Sequence, residues 1–231
     1  MKKIFCIAIV LVLISCKNEN PNQLQLSGNI EGLKQGTITI KKIEDTSFVT
    51  LDSIIFDGNS QFETNFELKS PEVLYVFLDR GQTQSIDNSV MFFAEPGKMT
   101  FNSTLEKFYA DAKVTGSKHN EIYEVYLKMK QKFTEKNIEW INFELKNRNK
   151  NINWDSINNL KTNNEKRKSL YALNFAKTNK DFHVAPFVVI SDVNVTKITY
   201  LKEVYEALNP EIKKGKYGLE LKKIIDENNK K

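Results

Sequence analysis

His119 and His183 are the only imidazoles in the chain. Imidazole is the side chain best suited to acid–base chemistry near neutral pH. His119 follows closely on Ser117 and Asp111, so the residue types of a Ser/His/Asp relay lie near one another in sequence. Such a relay needs its serine on a strained elbow or beside an oxyanion hole, and no motif of that kind surrounds Ser117. The simpler expectation makes Ser117 a helix N-cap and His119 a surface residue of the first turn. His183 stands in Asp181-Phe182-His183, far along the chain. No His-x-x-x-His or His-x-His spacing offers a metal two ligands. Asp181 is expected to cap the helix that contains Pro186. The carboxylate pairs Glu44-Asp45 and Asp226-Glu227 could serve acid–base work, but adjacent surface acids are common. Trp140 and Trp154 could be sugar platforms; on helices, core packing is the plainer expectation. No Gly-x-Gly-x-x-Gly or phosphate-loop pattern occurs. No catalytic residue, cofactor-binding residue, metal ligand or cofactor is therefore assigned. The expectation is a protein that is not an enzyme, with an enzyme using an unmotifed carboxylate site as the alternative.

The N-terminus carries a clearer signal. Lys2 and Lys3 precede an apolar run from Ile4 to Ile14. That is a basic region followed by a hydrophobic one, too short for the ~20 apolar residues of a membrane-spanning helix. It ends in Leu13-Ile14-Ser15-Cys16, which resembles the lipobox of bacterial lipoprotein signal peptides. The resemblance implies cleavage between Ser15 and Cys16 and palmitate-type acyl chains on Cys16. Several chains on one residue give stable anchoring where one would be marginal. Cys6 leaves with the signal peptide, so the expected mature chain has no free thiol for a disulfide or CxxC redox chemistry. The polar stretch from Cys16 to Gln23 reads as a tether.

Of 231 residues, 40% are hydrophobic and 27% charged, with 34 basic and 29 acidic side chains. This is globular composition. Only Arg80, Arg148 and Arg167 supply the planar forks that suit phosphate recognition, so nucleic acid is not an expected partner. The chain changes character near Gly116. Seven of the nine glycines lie at or before it, and Ser117 to Ala185 contains neither glycine nor proline. From Cys16 to Gly116 the net charge is −5; from Ser117 onward it is +8. The basic run Lys161 to Lys168 reads as a solvated helix face, or as contact with an acidic partner or anionic envelope surface.

Period-2 alternation and turn residues predict strands at Leu24–Ile30, Thr37–Lys41, Phe48–Phe56, Gln61–Leu68, Val73–Leu78, Ser89–Ala94, Met99–Phe101 and Ala112–Val114, with one wet and one packed face. In the second half, Ile122, Tyr126, Met129 and Phe133 share one helical face, with a slip of phase at Thr134–Asn137. Further helices are expected at Asp155–Ala176, Ala185–Ile190, Thr196–Leu208, stopped by Asn209-Pro210, and Leu219–Ile225. The expected fold is α+β: an N-terminal antiparallel β-sandwich followed by an all-helical C-terminal domain. Its divisions are signal peptide 1–15, tether 16–23, sandwich 24–116 and helical domain 117–231.

The ordered series Gly28-Asn29-Ile30-Glu31-Gly32-Leu33, Leu51-Asp52-Ser53, Asp57-Gly58, Phe92-Phe93-Ala94-Glu95-Pro96-Gly97-Lys98-Met99-Thr100 and Val114-Thr115-Gly116-Ser117 resembles the Bacteroidetes domain of unknown function 4369 family. Asn209-Pro210-Glu211-Ile212-Lys213 with Lys216-Tyr217-Gly218 resembles the end of the helical segment that commonly follows that domain. The resemblance implies an envelope location, in lipoproteins or periplasmic proteins, often ahead of a thioredoxin-like thiol–disulfide oxidoreductase domain. The Trp-Cys-x-x-Cys motif of that domain has no counterpart in these residues, so its activity transfers to none of them. The functional expectation is a cell-envelope protein of the outer membrane, on its periplasmic or its surface face, held there by the lipid anchor. It acts as a non-catalytic binding or accessory module, with a separate thioredoxin-like protein as the candidate partner. A spacer that lost its catalytic domain is the further alternative.

Overall fold

A computed structural model describes residues 20–79, 88–150, 152–193 and 198–229. The expected signal peptide, Ser15, Cys16 and most of the expected tether lie outside the described residues, as do Arg80 and Thr196.

Among the described residues, the first part forms eight strands: β1 (Gln23–Glu31), β2 (Gln35–Glu44), β3 (Ser47–Asp57), β4 (Gln61–Glu67), β5 (Glu72–Asp79), β6 (Ser89–Ala94), β7 (Gly97–Thr104) and β8 (Lys113–Thr115). They form two four-stranded sheets, ordered β4-β1-β7-β8 and β3-β2-β5-β6. Leu24, Leu26, Met99 and Phe101 from one sheet pack against Ile38, Ile40, Leu74, Val76 and Phe92 from the other. The sandwich is as expected, with one refinement. Strand β1 pairs with β7 in parallel, Leu24 opposite Gly97 through Glu31 opposite Thr104, while every other pairing is antiparallel. Gly28 permits that parallel approach: a Cβ there would sit 1.7 Å from the Phe101 carbonyl oxygen.

Six helices follow among the described residues: α1 (Lys118–Asn147), α2 (Trp154–Thr178), α3 (Val184–Asp192), α4 (Ile198–Ala207), α5 (Pro210–Lys214) and α6 (Lys216–Asn228). Ser117 caps α1 as predicted, its hydroxyl accepting from the Asn120 N–H at 3.0 Å. The expected slip at Thr134–Asn137 does not break α1. Asn209-Pro210 does end α4, but it also starts α5: the Asn209 side chain accepts from Glu211 N–H, with Pro210 in the first turn. Among the described residues no helix is long and apolar enough to cross a membrane.

The expectation of one wet face fails for the sheet β3-β2-β5-β6. Leu74, Val76 and Leu78 face the sandwich core, whereas Val73 and Phe93 belong to the helical core with Tyr123, Tyr126, Val188 and Tyr217. Strands covered on both faces read as continuous apolar runs rather than alternating ones. That accounts for Val73–Leu78 and Val90–Ala94. The molecule is therefore three layers, with helices on the outer face of one sheet. The charge split does not drive this docking. The joining surface is mostly aromatic, and Lys216–Glu72 at 2.7 Å is the ion pair between helix and sheet among the described residues.

Candidate functional site

Two polar arrangements and one cavity lie where the helices meet the sheet. The first is built on Glu95, in the turn between β6 and β7. Its carboxylate accepts the backbone N–H groups of Lys118 and His119, at 3.1 and 3.3 Å, and contacts His119 Nδ1 at 2.5 Å. An acid at a helix N-terminus satisfies orphan donors and complements the helix dipole. His119 is thus not the surface residue that the sequence suggests, since only 14% of its side chain is exposed. Its ring stacks near Phe93 and lies 5.6 Å from the ring of His183. The two histidines, distant in sequence, are neighbours because α3 begins where α1 begins. His183 itself is the N-terminal boundary residue of α3, without a side-chain cap. Asp181, expected to cap that helix, instead accepts from Asn209 at 3.3 Å. Gly215 makes room for His183: a Cβ there would lie 2.3 Å from the ring.

Ser117, His119 and Asp111 do not assemble into a relay. The Ser117 hydroxyl is engaged in the helix cap, and Asp111 accepts from Thr104. His119 Nε2 and His183 Nδ1 are buried without a hydrogen-bond partner among the described residues. Among those residues no group of three or more His, Cys, Asp or Glu side chains is placed to hold a metal.

The cluster does make stability depend on pH. Burial lowers His183 to about 4, helped by the like charge of His119. Burial pushes the Glu95 carboxyl up, but the bonds from His119 and from the N–H groups of Lys118 and His119 outweigh it, leaving about 2. Between the ordinary histidine value of 6.5 and about 4, the unfolded chain binds a proton at residue 183 that the folded chain refuses. Between 4.5 and about 2 the same holds at residue 95. At both residues the folded state is favoured more at pH 7 than in acid, and that difference is lost as pH falls, less steeply at the more solvated Glu95. Urea titrations from pH 7.5 to 3.5 should show the midpoint falling from about pH 6.5 downward. In His183→Asn the decline should begin nearer pH 4.5; an unchanged onset would contradict the assignment.

The cavity, of about 700 Å³, opens between the outer face of β5 and β6 and helices α1, α3 and α6. That is within the range of small-molecule sites. Tyr75 and Met91 come from the sheet, Tyr123 from α1, Phe187 from α3 and Tyr217 from α6. These elements bring their aromatics together because Phe93 holds them. Its ring meets those of Tyr123, Phe187 and Tyr217 edge-on, with centroids 5.6, 5.3 and 5.8 Å away. Side chains from the helices also satisfy the adjacent strands. Tyr217 Oη accepts from the Val73 N–H at 2.9 Å, and Asn120 Oδ1 accepts from the Phe93 N–H at 3.0 Å. Val73 and Phe93 face each other across the ladder. Lys216 donates to the Ile43 carbonyl oxygen at 2.8 Å, where β2 leaves the pairing with β5.

Two lysines at the cavity rim are paired, Lys130 with Asp192 and Lys216 with Glu72. Asp192 accepts from Lys130 at 2.7 Å and from the Tyr126 hydroxyl at 2.8 Å. Burial, with Asp192 nearby, pushes the Tyr123 phenol well above its ordinary value, and burial does the same for Tyr217. These phenols stay protonated at neutral pH. They can donate hydrogen bonds to a ligand but are poorly matched to proton transfer. The cavity thus offers aromatic walls and phenol donors to a bound molecule. No single sequence motif announced it. The contiguous apolar runs in β5 and β6 were the available signal, because a strand apolar on both faces must be covered on both.

The remaining sequence candidates are scattered. Glu44 pairs with Lys42 at 2.5 Å, Asp45 stands at the cavity mouth in a turn with φ of +53°, and Asp226 and Glu227 are exposed. Lys161 and Lys168 of the basic run pair with Glu144 and Glu165, and Lys166 and Arg167 are solvated as expected. Trp140 and Trp154 join neither core, contrary to the expectation of core packing, because the ends of α1 and α2 that carry them project beyond the body.

No curated protein matches the chain. Among solved structures, it is similar to transthyretin from Sparus aurata, at 15% identity over 41% of this chain and 97% of that one, with a TM-score of 0.31. It is also similar to the CBM25-1 of beta/alpha-amylase from Paenibacillus polymyxa, at 12% identity over 42% of this chain and 92% of that one, with a TM-score of 0.29. A family model described as Domain of unknown function (DUF4369) matches residues 24–123. The sandwich together with the opening of α1 is thus a member of the DUF4369 domain family.

Proposed function

We propose that this protein is a lipid-anchored cell-envelope module that binds a small amphipathic ligand between its sheet and its helices and has no catalysis of its own. The observation that carries the reading is the aromatic-walled cavity of about 700 Å³, whose phenols are held protonated and at whose rim Lys130 and Lys216 are already paired. The ligand expected there has an apolar body that packs on Tyr75, Met91 and Phe187 and polar groups that meet Tyr123 or the lysines at the mouth. The anchor rests on the basic and apolar start of the chain and on Leu13-Ile14-Ser15-Cys16.

The test uses residues 20–231, which contain every core residue from Leu24 to Ile225. This body is incubated with a detergent extract of envelopes, washed, and its bound small molecules are read by mass spectrometry. Met91→Trp, which fills the cavity, should lose at least nine-tenths of the ligand without a change in far-UV circular dichroism. No ligand on the unaltered body, or equal ligand on the variant, would sink the binding reading. A thioredoxin-like protein recovered in the same extract would make the module its accessory. For the anchor, Cys16→Ala in the full chain should abolish acyl labelling; persistent labelling would contradict it.

A further inference from the structure

The buried residues of α1 are Asn120, Tyr123 and Tyr126, all in its first three turns, and those of α2 all lie at or after Asn164. Residues 134–163 therefore leave the body as a two-helix arm, roughly 20 Å long at 1.5 Å per residue. Polar contacts tie its helices together. Asn164 Nδ2 bonds to the Phe133 carbonyl oxygen and to Asn137 Oδ1, both at 2.9 Å, and Lys161 pairs with Glu144 at 2.5 Å.

The arm exposes apolar side chains that an ordinary solvated hairpin would not carry. Leu145 is 66% exposed and Ile141 46%. With Ile138 they form a stripe at i, i+3 and i+7. Near the tip, Ile141 and Leu145 line a hollow with Trp154 and Arg148. Phe143 is also exposed, and at two residues from Ile141 it lies on the other side of the helix. A protein partner seated on one face would leave the other bare, whereas a lipid interface surrounds the tip and accommodates both. The charge agrees. Residues 134–163 carry five basic and four acidic side chains. Two of those acids, Glu139 and Glu144, are paired with Lys136 and Lys161. Lys146, Arg148 and Lys150 at the tip have no ion-pair partner among the described residues. Tryptophan, aliphatic residues and lysines together at one end are the composition of an interfacial membrane contact.

We infer that the tip of the α1–α2 arm binds an anionic phospholipid surface, with Ile141, Leu145 and Trp154 entering the headgroup boundary and Lys146, Arg148 and Lys150 on the phosphates. This contact is separate from the Cys16 anchor and from the cavity, and its test uses neither. The body 20–231 is mixed with vesicles of phosphatidylglycerol and phosphatidylcholine in equal parts, or of phosphatidylcholine alone. Both tryptophans of the chain lie on the arm, so tryptophan emission reports on the arm alone. The expected result is a blue shift and co-sedimentation with the anionic vesicles only, both reversed by salt. Replacing Lys146, Arg148 and Lys150 together by Gln should weaken binding about a hundredfold, at roughly 1 kcal/mol per basic residue near an anionic surface. Ile141→Glu with Leu145→Glu should abolish the blue shift while circular dichroism and the melting temperature stay unchanged. Equal binding to both vesicle types, no binding, or unchanged binding in either variant overturns the proposal. A lipid-free, concentration-dependent dimer producing the same shift also overturns it, because the arm would then be a face for a second copy.

Discussion

Phe93→Ala is expected to lower the unfolding free energy by about 3–5 kcal/mol, the usual cost of emptying a buried phenylalanine site. Phe93 is fully buried on β6, yet its ring lies on the helical side of the sheet. It touches rings on α1, α3 and α6, and its backbone N–H is held by Asn120. Truncation leaves a void at the one place where all three helices meet the strand. Aromatic pairing adds to the loss beyond the area buried. The readout is the urea midpoint and the shape of the transition. In the unaltered protein, sheet and helices share this core and should unfold together. In the variant, the loss of helical signal should precede the loss of the sandwich. A change below about 1 kcal/mol would mean that the helical layer holds itself together without the sheet.

Gly28→Ala is the second large effect, about 4 kcal/mol or more, at the upper limit of single substitutions. Backbone strain is not the cause, because Gly28 does not have a positive φ. The cause is proximity: the new methyl group would lie 1.7 Å from the Phe101 carbonyl oxygen and 2.9 Å from the Phe62 ring. Backbone on the β7 side and a core ring on the β4 side leave nowhere to move. Gly58→Ala is the control. Gly58 has a φ of +84° but open space around its Cβ position, so only the left-handed conformation is penalised, by about 1–2 kcal/mol. Denaturant midpoints of the two variants should differ clearly. Equal losses would argue against the close parallel pairing of β1 with β7.

The strands and most helices were legible because their signals are local. Leu24 and Leu26 alternate with polar residues, and Ile122, Tyr126, Met129 and Phe133 recur at helical spacing. Ser117 and Asn209 have the side chains that caps require. The site was less legible. Lys216, Tyr217 and Asn120 look unremarkable in sequence. They matter because they satisfy strand backbone groups that other strands leave open. His119 was misread as a surface residue because nothing near it in sequence shows that the Glu95 turn folds over the start of α1. Trp140 and Trp154 were misread for the opposite reason. Helical periodicity says which residues share a face, but not whether anything packs against it.

By itself, the amino-acid sequence determined the order and type of the elements, the sandwich-then-helices plan and the resemblance to the DUF4369 family. Each follows from neighbouring residues: a period of two or 3.6, a turn glycine, a capping hydroxyl, a motif in order. Only the tertiary structure decided that β1 runs parallel to β7, that the helices cover β5 and β6, and that His119 meets His183. It also decided that five aromatic or thioether side chains from five elements enclose a cavity. Those outcomes depend on which distant apolar surfaces bury one another best. That choice is a sum over the whole chain, and no local pattern encodes it.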